Sequence, residues 1–333
     1  MPAEIFIVSG FLGAGKTTLI QKLLRETFQN NKVVLIENDF GEISIDAALL
    51  KSGGIEVREI NSGCICCSLA GNFLQALKEI LDRFQPEKLL IEPSGVGKLS
   101  DVLTACNHTA IKPLAEIKRK ITVVDVKRCK MYAENFGEFF EDQVKKADVV
   151  MLSRTDLFPD RTEDACRVIR SLNPGAALFS KPWDQIHADE ILAAGANGEA
   201  DSIPARSAPR FSVTFGKSIL KDGEHQVYTP GFEETHHHST AEEIFDTITI
   251  ETERIYSTED LTARMAALTD DTKGFILRVK GILPIDGGYV NLQYLPGDLQ
   301  ITACDTRGGA LSIIGQNLAQ QEIIRLFNQE LKG

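Results

Sequence analysis

The chain has 333 residues, too many for one ordinary hydrophobic core, so two domains are the first expectation. Its 43% of hydrophobic and 25% of charged residues are typical of a folded globular protein, and its formal charge of -11 argues against non-specific binding to nucleic acid or to an anionic membrane. No apolar run is long enough to cross a membrane and no secretion signal is recognisable, so we expect a cytosolic protein.

Strands alternate with helices over the first half of the chain. Apolar runs predict buried strands at 4–9, 32–36, 55–60, 88–91, 121–124 and 149–152, and helical periodicity predicts helices at 17–26 and 69–84. Strands that alternate with helices are joined by right-handed crossovers, which gives a mostly parallel sheet with helices on both faces. The fold class predicted for residues 1–182 is therefore α/β.

The second half has a different pattern. Between 183 and 209 the composition shifts to Ala, Gly, Asn, Ser and Pro, which predicts a linker with at most a short helix. Beyond it, strands are predicted at 211–215, 245–251, 275–283, 289–294 and 299–304, and helices at 319–331 and after a capping box that begins at Ser257. We expect a smaller α+β domain, with a ferredoxin-like arrangement, over residues 210–333.

A glycine-rich loop follows the first predicted strand. It matches the phosphate-loop pattern G-x-x-x-x-G-K-[ST] and is followed by a predicted helix, which is the context that this motif requires. Lys16 is expected to neutralise the β- and γ-phosphates of a nucleotide, and Thr17 to bind Mg²⁺. The candidate nucleotide-binding residues of the loop are Gly10, Gly13, Ala14, Gly15, Lys16, Thr17 and Thr18.

An acidic residue ends a later apolar strand. Glu92 follows Leu89, Leu90 and Ile91, where a carboxylate can hold a Mg²⁺-bound water. Gly95 comes three residues later, and its backbone amide can contact the γ-phosphate. A surface acid at the end of a strand is the alternative interpretation of Glu92.

A base-recognition segment is predicted at Ser153-Arg154-Thr155-Asp156, where many GTPases carry Asn-Lys-x-Asp. The Asp156 carboxylate can accept hydrogen bonds from guanine N1–H and from the 2-amino group, which adenine lacks, so GTP is the expected nucleotide. Ser153 is shorter than Asn, so we expect it not to make the same loop-bracing contacts, whereas the Arg154 stem can cover the base. The alternative is that Asp156 only caps a helix that begins near Pro159.

Three of the seven cysteines, Cys64, Cys66 and Cys67, lie within one tetrapeptide. Thiolates suit Zn²⁺ or another borderline-soft cation, and three sulfur ligands leave a fourth position for an exchangeable ligand. Redox chemistry and buried neutral thiols are the alternatives. The remaining cysteines, which are scattered and are expected to be small buried hydrophobic residues, are Cys106, Cys129, Cys166 and Cys304.

In this order the motifs resemble the CobW family of P-loop GTPases, relatives of the HypB and UreG nickel chaperones. The segments that carry the resemblance are the phosphate loop, a first switch at 37–46, the C-x-C-C motif at 63–67, the acidic motif at 92–95, and the segments 141–148 and 153–157. They cover residues 1 to about 180, whereas the second half is similar only in outline.

The resemblance implies a GTPase that binds zinc, or in some members cobalt or another transition metal, and delivers it to a client or helps a metalloenzyme to mature. It also implies roles for Glu37 and Asp39 in handling Mg²⁺ or the attacking water, and for Glu42 beside the transition metal. The run His236, His237 and His238 either collects metal near the linker or is an exposed loop with incidental affinity.

The function predicted from the sequence is therefore a GTP-hydrolysing metallochaperone with Mg²⁺ as cofactor, catalytic residues Lys16, Glu37, Asp39 and Glu92, and zinc as the expected cargo. Its expected partners are GTP, GDP, the metal and a client metalloprotein, with a homodimer as a candidate assembly. A non-catalytic metal buffer or sensor with a structural nucleotide is one alternative. An ATP-dependent activator of a corrinoid or other cofactor enzyme is another.

The cysteine motif lies between the first switch and the acidic motif. Loops that the γ-phosphate rearranges can therefore open or close the thiolate site. Such coupling is reciprocal, so bound metal should also change nucleotide affinity. No glutamine or arginine finger is recognisable, so intrinsic turnover should be slow.

Overall fold

The computed structural model describes residues 2–37, 56–59, 70–194 and 241–328. Within these ranges the chain forms one seven-stranded sheet and one five-stranded sheet. No helix of the described residues is long and apolar enough to cross a membrane. The strand predicted at 211–215 lies outside the described residues.

The first sheet is parallel throughout, as the alternating pattern predicted. Its strands are β1 (Ala3–Gly10), β2 (Val33–Glu37), β3 (Glu56–Glu59), β4 (Lys88–Glu92), β5 (Ala115–Asp125), β6 (Val149–Ser153) and β7 (Ala177–Phe179). They lie in the order β3-β2-β4-β1-β5-β6-β7, and every adjacent pair is parallel. All carboxyl ends therefore meet at one edge, where ligands of open α/β sheets bind.

Helices cover both faces of this sheet. They are α1 (Lys16–Glu26), α2 (Ala70–Phe84), α3 (Leu99–Cys106), α4 (Cys129–Asn135), α5 (Gly137–Lys145), α6 (Pro159–Leu172) and α7 (Ala188–Ala193). Side chains alternate along each strand. In β6, Val149 and Met151 join a core with α1 and α7, whereas Val150 and Leu152 join a core with α4, α5 and α6. The α/β prediction is confirmed.

Residues 183–194, which the composition placed in the linker, pack against the first sheet. Trp183–Gln185 form a 3₁₀ turn and α7 follows it. Ile186, Ala188 and Ile191 are buried in the same core as α1. His187 caps α7, because its Nδ1 accepts a hydrogen bond from the Asp189 amide. The first unit therefore continues at least to the end of α7.

The second sheet is antiparallel. Its strands are β8 (Asp246–Glu251), β9 (Phe275–Ile285), β10 (Gly288–Leu295), β11 (Asp298–Cys304) and β12 (Ala310–Gln316), and its helices are α8 (Ala241–Ile244), α9 (Thr258–Leu268) and α10 (Gln320–Asn328). The order is β11-β10-β9-β12-β8. Because β12 pairs with both β8 and β9, the unit β8-α9-β9 is the split βαβ element of ferredoxin-like folds. The predicted α+β character is confirmed.

One face of the second sheet carries the core of this domain. Val290 and Leu292 of β10 pack there with Leu261 and Met265 of α9 and with Phe327 of α10. The predicted cap is present, since Ser257 Oγ accepts a hydrogen bond from the Asp260 amide at 3.1 Å.

Part of the second domain is buried against the first. Phe245, Leu277 and Ile314 belong to the same buried cluster as Phe11 of the phosphate loop and Phe136 of the turn between α4 and α5. Phe245 also meets Phe139 in an edge-on contact with ring centroids 5.2 Å apart. The described parts of the two domains therefore share one hydrophobic contact surface.

Candidate nucleotide-binding site

The phosphate loop connects β1 to α1 at the carboxyl edge of the first sheet. Gly10, Gly13 and Gly15 have φ angles of +143°, +64° and +107°. Side chains are rarely tolerated in this region of backbone conformation, which explains the glycines at these three positions of the loop. A Cβ at Gly10 would also lie only 2.4 Å from the Val123 carbonyl oxygen. The loop therefore curls at the start of a helix, where backbone amides can surround an anion.

Three of the predicted site residues lie close together at the end of this loop. Lys16 and Thr17 open α1, and Glu92 ends β4. The Thr17 hydroxyl donates to the Glu92 carboxylate at 3.3 Å, and Lys16 Nζ lies 3.9 Å from Glu92 Oε1. Glu37 ends β2 opposite Glu92 in the strand register and is buried. A surface position for Glu92 is therefore wrong, because its side chain is only 13% exposed.

The oxygen atoms of this group fit Mg²⁺. That ion is usually held by one or two protein oxygens together with substrate phosphates and water. Thr17 supplies a hydroxyl and Glu92 a carboxylate within hydrogen-bond distance of each other. Lys16 adds a positive charge that a triphosphate would need nearby.

The loop after β4 lies directly against the phosphate loop. A Cβ at Gly95 would be 2.8 Å from the Leu12 backbone nitrogen, so only glycine allows this approach. Gln143 of α5 holds the Gly95 loop from behind, because its Nε2 donates to the carbonyl oxygens of Gly95 at 3.2 Å and Gly97 at 2.8 Å. Sequence reasoning gave Gln143 no role, since its partners lie far away in the chain.

Ser153 braces the phosphate loop, contrary to our expectation from its length. Its Oγ donates to the Ala14 carbonyl oxygen at 2.6 Å. The hydroxyl reaches because the end of β6 lies close to the loop: a Cβ at Gly15 would be 3.8 Å from Ser153 Cβ. The short Ser153 side chain is therefore long enough to brace the loop.

Arg154 binds a carboxylate that the sequence analysis had not considered. It has a left-handed backbone with φ +60°, and its Nη1 pairs with Oδ2 of Asp125. Asp125 ends β5 and is 2% exposed, and it also accepts a hydrogen bond from Arg128 Nη1 at 2.6 Å. The Arg154 guanidinium is thus directed to the end of β5.

Asp156 is exposed, so its carboxylate is accessible to a ligand. The alternative role as a helix cap is wrong, because the residue that precedes α6 is Phe158 and no side chain caps this helix. Trp183 lies nearby, with its Nε1 donating to the Leu152 carbonyl oxygen at 2.7 Å. Its ring edge would be 3.4 Å from a Cβ at Gly15. This tryptophan is the single one in the chain.

The predicted transition-metal ligands lie outside the described residues, as does one predicted catalytic residue. These residues are Asp39, Glu42, Cys64, Cys66, Cys67, His236, His237 and His238. Among the described residues, no group of three His, Cys, Asp or Glu side chains is arranged to hold a metal ion.

All four scattered cysteines were predicted to be buried hydrophobic residues, and the prediction is confirmed for three of them but wrong for Cys304. Cys106, Cys129 and Cys166 are buried, whereas Cys304 is partly exposed. Burial raises the pKa of the Cys106 and Cys129 thiols to about 12, so both are neutral at physiological pH. Neutral thiols are poor metal ligands, so these two positions do not compete with a thiolate site.

Two family models match the chain. The model of the CobW/HypB/UreG nucleotide-binding domain matches residues 4–180, which is more than half of the chain, and the model of the cobalamin synthesis protein cobW C-terminal domain matches residues 245–331. The first range contains the phosphate loop, Glu92 and Asp156, and the second contains β8 to α10.

Two curated relatives match over most of their length. The zinc chaperone YeiR of Escherichia coli strain K12 is 27% identical over 311 residues, which cover 89% of this chain and 87% of YeiR. The zinc chaperone CobW of a Sinorhizobium species is 27% identical and covers 96% of this chain and 94% of its own. A crystal structure of Zn(II)-bound YjiA GTPase from E. coli aligns over 100% of both chains with 20% identity and a TM-score of 0.45. The chain belongs to the CobW/HypB/UreG family of nucleotide-binding proteins.

Proposed function

We propose that this protein is a GTP-hydrolysing metallochaperone whose nucleotide state controls a zinc-binding thiolate site. The observation that carries the proposal is the convergence of Lys16, Thr17 and Glu92 at the carboxyl edge of the parallel sheet, beside a glycine-rich loop. Family membership and relatives that are named zinc chaperones support it.

The reaction is attack of water on the γ-phosphorus of GTP. The bond from the γ-phosphorus to the β-phosphate oxygen breaks, and GDP and inorganic phosphate leave, with the proton of the water passing to phosphate. Lys16 neutralises the negative charge on the β- and γ-phosphates, and the Gly95 amide is close enough to the loop to contact the γ-phosphate. Thr17 and Glu92 would hold Mg²⁺, which would supply further neutralisation of the phosphate charge.

Guanine is selected by Asp156 in this proposal. Its exposed carboxylate follows β6 near the end of the phosphate loop, to which Ser153 is hydrogen-bonded. A carboxylate there accepts hydrogen bonds from two guanine donors, and adenine cannot reproduce that pair. Binding of ATP should therefore be weaker than binding of GTP.

Zinc is the cargo, and Cys64, Cys66 and Cys67 are its proposed ligands. Strand β3 ends at Glu59, and only four residues of chain separate Glu59 from Cys64. Because β3 runs parallel to β2 and β2 to β4, the cysteine motif is tethered to the sheet edge that carries Glu37 and Glu92. Metal and nucleotide are thus proposed to bind at neighbouring positions of one edge.

Metal analysis of anaerobically purified protein tests the cargo assignment. The wild type is compared with the variant Cys64→Ser, Cys66→Ser, Cys67→Ser, and GTP binding is measured on both. We expect close to one zinc per chain in the wild type, none in the triple variant, and GTP binding in both. Equal zinc content in the two proteins would contradict the proposed ligands.

A further inference from the structure

A turn of the C-terminal domain lies directly on the phosphate loop. It joins β10 to β11 and consists of Leu295, Pro296, Gly297 and Asp298. A Cβ at Gly13 would lie 2.4 Å from Leu295 Cδ1 and 2.6 Å from Cδ2. The methyl groups of Leu295 therefore fill the space beside the Gly13 backbone. A bulkier residue at either position could not be accommodated without moving the loop.

The orientation of Leu295 follows from its place in the strand. Side chains of β10 alternate, and Val290 and Leu292 point into the core of the C-terminal domain. Leu295 lies an odd number of residues from Leu292, so its side chain is on the opposite face of the sheet, away from α9 and α10. It is nevertheless only 9% exposed, and it is not part of that core. Its burial is thus explained by the contact with the nucleotide-binding domain.

A buried arginine anchors the same turn from the other domain. Arg128 is 2% exposed, and its Nε and Nη2 donate to the Pro296 carbonyl oxygen at 3.3 and 3.2 Å. Its Nη2 also lies 3.7 Å from Asp298 Oδ2, and Lys127 Nζ donates to the Gly297 carbonyl oxygen at 3.3 Å. The turn is therefore held by polar contacts as well as by the packing of Leu295.

Arg128 links the turn to the predicted base-recognition segment. Its Nη1 donates to Oδ2 of Asp125 at 2.6 Å, and Arg154 binds the same oxygen. The buried Asp125 carboxylate thus links Arg128, which anchors the turn, to Arg154 of the base-recognition segment. A displacement of the turn would disturb both the phosphate loop, through Gly13, and the base segment, through Asp125.

The residues at the start of the loop are held by packing. Phe11 contacts Tyr132 and Phe136, with ring centroids 4.3 and 5.4 Å away, and Phe245 of the C-terminal segment at 6.3 Å. The Tyr132 hydroxyl donates to the Leu12 carbonyl oxygen at 3.3 Å. The C-terminal domain therefore contacts the phosphate loop at two places, Phe11 and Gly13.

We propose that the turn from Leu295 to Asp298 is a positioning element of the nucleotide site, with Leu295 as the positioning residue for the phosphate loop. This proposal deepens the GTP-dependent function proposed above and rests on it only for the identity of the nucleotide. A client that binds the C-terminal sheet and moves the turn would change nucleotide affinity, and bound nucleotide would change client affinity by the same factor.

The test uses the full chain with Mg²⁺ and without zinc. Calorimetry gives the Kd of GDP and of a non-hydrolysable GTP analogue for the wild type, Leu295→Ala and Leu299→Ala. Leu299 is the matched control, because it lies in the same hairpin but packs against the core of its own domain. We expect Leu295→Ala to weaken both nucleotides by about tenfold and Leu299→Ala by less than about twofold, with similar losses in Tm.

Unchanged nucleotide affinity of folded Leu295→Ala would overturn the proposal, as would an equal loss of affinity in Leu299→Ala. If Leu295→Ala does not fold, Asp298→Asn decides the question, with the exposed Asp305→Asn as its control. Asp298→Asn should weaken nucleotide binding by about two- to threefold, and no change would again overturn the proposal. Because zinc is absent, failure of the proposed metal transport cannot produce any of these results.

Discussion

The two sides of the phosphate loop differ in chemistry and in the origin of their residues. The inner side is polar: Lys16 and Thr17 are adjacent in the sequence and meet Glu92 at the end of β4. The outer side is apolar: Phe11 and Leu295 pack there, and Leu295 comes from the other domain. Phosphate binding and support of the loop are thus separate tasks. Substitutions on the inner side should therefore lower the rate of hydrolysis with little loss of stability, whereas substitutions on the outer side should lower stability and nucleotide affinity.

The largest expected effect is on the outer side. Phe11 is 1% exposed among other aromatic rings, so Phe11→Ala should lower the free energy of unfolding by about 3 to 5 kcal/mol. Denaturant unfolding measures this change. Ile255→Ala is the control, since Ile255 is 66% exposed, and it should cost less than about 1 kcal/mol. Equal losses would show that the aromatic cluster does not support the loop.

On the inner side, Lys16→Ala should reduce the rate of GTP hydrolysis by about 100- to 1000-fold because the charge on the phosphates is no longer neutralised. Its Tm should stay close to that of Lys118→Ala, a partly exposed control on the first sheet. Steady-state phosphate release measures the rate. The same variant should lose client activation, whereas a non-catalytic metal buffer would retain it.

Base selection gives the next smaller effect. Asp156→Asn removes the charge from the proposed guanine acceptor and should reduce the preference for GTP over ATP by about tenfold or more. Competition between the two nucleotides measures the preference. Asp160→Asn, in the first turn of α6, is the control and should leave it unchanged. A wild type that prefers ATP would support the ATP-dependent activator instead.

Of the four substitutions that compare the two sides of the loop, Ser153→Ala should have the smallest effect. It removes the hydrogen bond to the Ala14 carbonyl oxygen, which contributes about 1 kcal/mol, so nucleotide should bind about fivefold more weakly. Ser153→Thr keeps the hydroxyl and should restore most of the affinity. If Ser153→Ala binds nucleotide as tightly as the wild type, the hydrogen bond from Ser153 to Ala14 does not contribute to nucleotide binding.

The inner side could be predicted from the sequence because its motif is contiguous. The glycines, Lys16 and Thr17 occur at fixed spacing between a strand and a helix. The role of each in phosphate or Mg²⁺ binding follows from its own chemistry. The outer side could not be predicted in this way. Leu295 is one leucine in a strand pattern, and nothing near it in the chain indicates that its partner is Gly13.

Ser153 shows why one part of the site was predicted wrongly. Ser153 was expected not to make the bracing contacts of Asn because its side chain is shorter. The distance that the side chain must span, however, depends on how closely β6 approaches the phosphate loop. Asp125 and Gln143 were missed for a similar reason. Each one acts through partners on other elements, so its role becomes visible only in the folded chain.

Prediction of the fold was likewise limited where a strand is defined by partners that are distant in the sequence. The parallel sheet was predicted because alternating strands and helices leave few topologies. Strand β12 was missed: the segment Ala310–Gln316 is buried on both faces and lacks the alternation of a half-buried strand. Its neighbours β8 and β9 come from earlier in the chain, and only their pairing defines its place.

The measurement that tests the account most directly is the zinc affinity of the protein in two nucleotide states. Zinc is titrated anaerobically into the GDP-bound protein and into the protein bound to a non-hydrolysable GTP analogue, each with Mg²⁺. The account predicts affinities that differ by about fivefold or more between the two states. Equal affinities would contradict it, because the nucleotide would then have no control over the thiolate site.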